Sequence, residues 1–219
     1  MLLLCLLMSC DSKEGAYESG KGAGNSTFTF LGLGADTPLN DARRDRLKER
    51  LGSEAMVRRT TIDLEVNRPG FLADHFGDLA DLNKQLNWPP RERVEHAATL
   101  LTYRYIDAAE LPFDKVALIF ADPTGRPLLL NAYAGAAGEA LLPSLEEKYG
   151  VAREIPWEGG HTRVWTQGED RLLFTAWRDQ YDRPRHTITI YYTANLKALM
   201  AIEGDGGKEK PSEGRKSIF

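Results

Sequence analysis

Imidazole, carboxylate and guanidinium groups are the parts of this 219-residue chain able to do chemistry. The four histidines, His75, His96, His161 and His186, are far apart in sequence. Two of them belong to a cluster that the expected strands bring together: His161, Arg163, Arg178, Asp179, Tyr181 and His186, with Asp182, Arg185 and Trp157 nearby. Imidazole suits proton transfer or metal ligation, and guanidinium suits anions. A polar rim with aromatics of this kind suits a small anion or a sugar. The competing reading is a solvated turn of ion pairs, each contributing about 0–1 kcal/mol. No metal ligand set, cofactor or catalytic residue is expected. The sequence has no Gly-x-Ser-x-Gly elbow, His-Glu-x-x-His pair, Walker loop or calcium-binding loop. Gly32 and Gly34 hint at a phosphate-binding turn, but the third glycine is missing and no lysine follows at the required spacing.

The cluster depends on three strands, 163–166, 172–177 and 187–192, paired in sequence order. The first and third then run parallel and start at the end of the sheet where the second finishes. Two strand spacings, about 9.5 Å, separate His161 from His186, too far for both to hold one metal unaided. Before them, 116–120 and 128–133 flank Asp122-Pro123-Thr124-Gly125, a proline-and-glycine turn, and so form a hairpin. Further strands are expected at 28–31 and 57–66. Helices are expected at 39–51 (Thr37 as N-cap, Gly52 as stop), 71–86, 90–109, 138–148 and 194–202 (Thr193 as cap). The 90–109 segment is also strand-prone from Thr99 onward. Hairpin-dominated strands interleaved with helices give an α+β class. The expected sheet is mainly antiparallel, with about five to seven strands covered by helices. Leu128-Leu129-Leu130 and Leu172-Leu173-Phe174 mark central strands covered on both faces. Trp157, Trp165 and Trp177 read as core filling before they read as an aromatic platform. On helix 39–51 the arginines fit a solvated, salt-bridged face, with contact to anionic lipid headgroups as the alternative.

The first ten residues read Met-Leu-Leu-Leu-Cys-Leu-Leu-Met-Ser-Cys. This apolar run is too short to span a bilayer, which takes roughly 20 helical residues. It has the length of the apolar part of a secretory signal. Leu7-Met8-Ser9-Cys10 resembles the lipobox of bacterial prolipoproteins. The resemblance implies a thioether-linked diacylglycerol on Cys10, usually a third acyl chain, and cleavage beside Ser9. Two or more chains give stable anchoring where one does not. The chain departs from the pattern in lacking Lys or Arg before the apolar run, which is expected if the true start lies upstream. In enterobacterial proteins with this signal, an Asp after the cysteine implies retention at the inner membrane, and Asp11 stands there.

The expected division is a signal at 1–10, a flexible tether at 11–27, a globular α+β body at 28–203 with a possible subdivision near 87–90, and a disordered tail at 204–219. The tether, rich in Gly, Ser, Lys and Glu, reaches on the order of 20–25 Å as a coil. Net charge is −4, which disfavours nucleic acid as a partner. With Cys5 cleaved off and Cys10 acylated, the mature protein would carry no thiol for disulfides, metal sites or nucleophilic catalysis. The expected partners are the bilayer, through Cys10, and an envelope protein. Three functions compete: a non-enzymatic envelope lipoprotein, a periplasmic small-molecule binder using the His161/Arg178/His186 end, and a hydrolase, which would need Ser or Asp beside His161 or His186.

Overall fold

The computed structural model describes residues 28–65, 68–104, 106–107 and 111–206. The segments expected to be a signal and a tether, and most of the expected tail, lie outside these residues. One antiparallel sheet carries the fold. Its strands are β1 (Glu54–Thr60), β2 (His96–Arg104), β3 (Lys115–Ala121), β4 (Pro127–Ala134), β5 (Arg153–Trp157), β6 (Gly160–Gln167), β7 (Asp170–Arg178) and β8 (Pro184–Tyr191). They pair in the order β1-β2-β3-β4-β8-β7-β6-β5. Two four-stranded meanders therefore meet at β4 and β8, in the middle of the sheet. Eight strands replace the expected five to seven, and helices are a minor part of this α+β fold.

The first helix, α1 (Asp41–Leu51), precedes the first meander. A short helix α2 (Phe71–His75) and then α3 (Gly77–Leu86) connect β1 to β2. A 3-10 turn, Ala136–Ala140, leads into α4 (Leu141–Tyr149) and the second meander, and α5 (Thr193–Gly206) closes the described chain. Each sheet face has its own apolar core. One core joins Leu47 and Leu51 of α1 to Leu101, Leu118, Leu130 and Phe174, with Leu141, Leu142 and Leu145 of α4 packed against it. The other joins Phe71, Leu79 and Leu86 to Ile119, Leu129, Leu173, Leu196 and Leu199. Leu128 to Leu130 and Leu172 to Phe174 are all buried, as expected of central strands covered twice.

Several elements differ from the sequence reading. Among the described residues of 90–109 there is no helix; β2 takes 96–104. Ala97 and Ala98 suit a helix, but Thr99, Thr102 and Tyr103 favour a strand, and pairing to both β1 and β3 decides the outcome. Strand β5 went unread because Pro156 and the charged Arg153-Glu154 mask it. A sheet edge tolerates proline, and β5 is an edge. Residues 28–31 form no extended strand. Phe30 and Leu33 exchange both backbone bonds at 2.9 Å around Leu31 and Gly32, both with positive φ. Asn40, not Thr37, caps α1: its Oδ1 accepts from the Arg43 N–H at 2.9 Å. Thr37 Oγ1 instead accepts from the Gly34 N–H at 3.1 Å. The strand expected at 57–66 starts earlier, at Glu54, and ends at Thr60, and Phe76 divides the helix expected at 71–86. Thr193 opens α5, but Asp170 of β7 accepts from its N–H at 2.9 Å. Helix α5 continues through Gly206, past the expected start of the tail at 204.

Candidate functional site

The strands that were to gather the histidine–arginine cluster pair as required. His161, Ala176 and His186 occupy one row across β6, β7 and β8. Alternation puts His161, Arg163, Arg178 and His186 on one face and Arg185 on the other. Most of these side chains, however, are already engaged by other parts of the fold or by their own turn. His186 is buried: its Nδ1 lies 2.8 Å from the Gly135 carbonyl, and its ring stacks on Phe174 at 5.6 Å. Gly138 rests on that imidazole so closely that an added Cβ would lie 2.6 Å from the His186 Cβ. Arg163 pairs with Glu146 at 2.8 Å and Glu154 at 3.2 Å. Arg178 pairs with Asp182 at 3.2 Å. The Asp179 carboxylate accepts from Arg183 Nε at 2.9 Å, Arg185 Nε at 3.1 Å and the Tyr181 backbone N–H at 2.9 Å. Burial works to raise its pKa, but the bonds from Arg183, Tyr181 and Arg185 prevail and hold it well below the ordinary carboxylate range. Tyr181 is exposed, with the Arg183 guanidinium 4.8 Å from its ring centre. Among the described residues neither His161 nor His186 bonds a serine or aspartate, and no group of three or more His, Cys, Asp or Glu could hold a metal ion. The tryptophans split: Trp165 is buried, its Nε1–H donating to the Gly150 carbonyl at 2.7 Å, while Trp157 and Trp177 are half-buried.

Two surface cavities offer more to a ligand. The first, of about 600 Å³, lies at the C-terminal end of α3. Trp88, 71% exposed, stands over it, with Asp63, Glu65, Asn83 and Asn87 in its lining. Asn83 and Asn87 also bind the backbone of the 62–64 segment, through Leu64 N–H at 2.9 Å and the Ile62 carbonyl at 3.0 Å. The sequence showed Trp88-Pro89-Pro90 only as a helix breaker. Exposure of an indole this large was the missing signal, and it depends on where 61–65 packs.

The second, of about 840 Å³, lies between α1 and the chain's entry into the fold. Arg43, Arg46, Arg50 and Lys148 line it. Here the sequence displayed the arginine stripe but not the lysine, which arrives from the other meander. The entry itself is fixed. Phe28 is fully buried, its ring edge-on to Tyr149 at 5.1 Å, and the Tyr192 hydroxyl reaches the Phe28 and Leu33 carbonyls at 3.3 Å. No described helix is long and apolar enough to cross a membrane. Comparison of the chain with family models, with curated proteins and with solved structures finds no match in any of the three.

Proposed function

We propose that this protein is a bacterial envelope lipoprotein. Cys10 is acylated, residues 11–27 are a tether, and the body from Phe28 is a non-enzymatic binding module facing the periplasm. The Leu7-Met8-Ser9-Cys10 pattern carries the reading. Firm fixing of Phe28 by Tyr149 and Tyr192 supports it, since pull on a tether would be borne by the core. Asp11 favours the inner membrane, and an envelope protein is the expected partner. Intact mass of the protein extracted from membranes tests the anchor. The expected product begins at Cys10 and carries two or three acyl chains. Replacing Cys10 by Ala should move the protein from the membrane to the soluble fraction once membranes are washed in high salt, which screens surface charge; equal retention after that wash would refute the anchor.

A second reading, a small-molecule binder, is favoured by the Trp88 cleft. An exposed indole beside carboxylates and amides suits a neutral sugar, whose apolar face stacks while its hydroxyls meet acceptors. The lining mixes Asp63, Glu65 and Glu92 with Lys84 and Arg91, so it carries no surplus of positive charge to hold an anion. Titration of tryptophan fluorescence with a panel of neutral sugars tests the site, and Trp88→Ala should abolish any saturable response. A response unchanged in that variant would place binding elsewhere.

A further inference from the structure

The cation-lined groove sits where a tethered protein would meet its membrane. Arg43, Arg46 and Arg50 recur at helical spacing and form one stripe on α1. Lys148 reaches the groove from α4, and its ammonium donates to Thr29 Oγ1 at 2.7 Å. Glu49 is the one carboxylate in the lining. Arg43 donates to the Pro38 carbonyl at 2.8 Å and Arg46 Nε to the Ala42 carbonyl at 3.3 Å. These are backbone acceptors. Among the described residues none of the four cations is in an ion pair. The turn at Asp179 is the opposite case, since its arginines face acids of their own loop. A chain with net charge −4 thus concentrates unneutralised positive charge at one place.

The place matters as much as the charge. Thr29 lines the groove and follows Phe28, where residues 11–27 join the body. If residues 11–27 act as a flexible tether, the groove would lie at a root-mean-square distance of roughly 20–25 Å from its other end. Anionic leaflets attract basic clusters over about a Debye length, 8–10 Å in physiological salt. The tether therefore keeps the groove at high effective concentration beside the surface it matches.

We propose that this groove docks on the anionic phospholipid surface of the bilayer that holds Cys10, with headgroup phosphates between the α1 arginines and Lys148. The proposal rests on the acylation of Cys10 for the nearness of the membrane, but the docking contact needs no acyl chain. Docking lays the α1–α4 face of the sheet on the membrane and leaves the opposite face, with the Trp88 cleft, toward the periplasm.

The full chain carrying Cys10→Ser, which cannot be acylated, separates the two ideas. It is sedimented with vesicles of phosphatidylcholine alone or with one third phosphatidylglycerol. The expected result is partition onto the anionic vesicles only, weakening as salt rises. Arg43→Gln, Arg46→Gln and Arg50→Gln together should reduce that partition about 100-fold. Glutamine is a good helix former, so thermal unfolding of the triple variant should match the parent. Lys148→Gln alone should give a smaller loss, and Lys197→Gln, on α5, none. Equal partition onto both vesicle types, or an unchanged triple variant, overturns the proposal. So does complete release by millimolar inorganic phosphate, which would make the groove a site for a soluble anion. Failure of the anchor reads out separately, as an unacylated mass from membranes.

Discussion

The two meanders repeat one plan with opposite electrostatics. In each, a helix on the same sheet face ends on a glycine with positive φ, Gly52 at 80° and Gly150 at 81°, and the chain then enters an edge strand. In the first, an acid in the sheet is held by bases of the helix. Glu54 of β1 accepts from Arg44 Nε at 2.6 Å, lies 3.4 Å from Lys48, and accepts from the Tyr103 hydroxyl at 3.1 Å. In the second, a base in the sheet is held by acids: Arg163 of β6 reaches Glu146 of α4 and Glu154 of β5. The clamp on α1 uses Arg44 and Lys48 and leaves Arg43, Arg46 and Arg50 over. The groove between the helices inherits that surplus. The comparison teaches that one backbone arrangement can bind its helices with either polarity, and that the choice decides what the outer surface attracts.

The edges separate the halves further. Strand β1 breaks register between Arg58 and Thr60, where Arg59 has positive φ, and a bulge of this kind protects a sheet edge. Strand β5 instead turns through Glu158-Gly159 and folds Trp157 back over Gly160. A Cβ at Gly160 would lie 2.5 Å from the Ala176 carbonyl oxygen and 2.6 Å from the Trp157 ring. Gly160→Ala should therefore cost about 2–3 kcal/mol and lower the melting temperature by roughly 5–10 °C. Circular dichroism and tryptophan fluorescence on heating would show it. A loss under about 0.5 kcal/mol would mean the edge is not closed by this contact.

The clamps should differ in strength. The Glu54 side chain is 7% exposed, whereas Glu154 beside Arg163 is 50% exposed. Glu54→Gln should cost about 2 kcal/mol and Arg163→Gln about 1 kcal/mol or less. Burial pushes the Glu54 carboxyl upward, but hydrogen bonds from Arg44 and Tyr103 and the nearby positive charges outweigh it, so its pKa is lowered. A lowered carboxyl stabilises the fold above its unfolded pKa of about 4.3, and that contribution fades as pH falls through the folded value. The gap between parent and Glu54→Gln should be full at pH 7, start to shrink as pH falls past about 4.3, and close only below the lowered folded pKa. A gap that stays constant in urea titrations across that range would break the assignment of polarity to the first clamp.

Much of the second meander was legible in the sequence because its strands are short and sit between turn residues: 187–192 opens on alternating Thr and Ile, and 172–174 is a continuous apolar run. The row that joins His161 to His186 follows from their order alone. What the row would do was not legible, because burial of His186 depends on Gly138 and the 3-10 turn, which come from distant sequence. The first meander was harder to read. Its Ala97-Ala98 start and the interruption at Phe76 are settled by packing against β3 and α5, and local propensity cannot report that. The groove shows the same divide: the arginine stripe is local and visible, while Lys148 is brought in by the fold.

The equivalence of the halves has its most direct test at the two glycines. Both end a helix, and in both the backbone N–H returns to a carbonyl four residues earlier, Lys48 for Gly52 and Glu146 for Gly150. Both sit where an L side chain is strained, and nothing lies within 4 Å of an added Cβ at Gly150. The penalty of Gly150→Ala is then backbone strain alone, about 1–3 kcal/mol, since φ 81° with ψ −170° is a region that in practice only glycine adopts. If the halves are structural equivalents, Gly52→Ala should cost the same to within about 0.5 kcal/mol, and the double variant should show the sum, since distant sites add. A much larger loss at Gly52 would show that the α1–β1 junction is additionally constrained by the Glu54 clamp two residues on, and combining Gly52→Ala with Glu54→Gln would then give less than the sum.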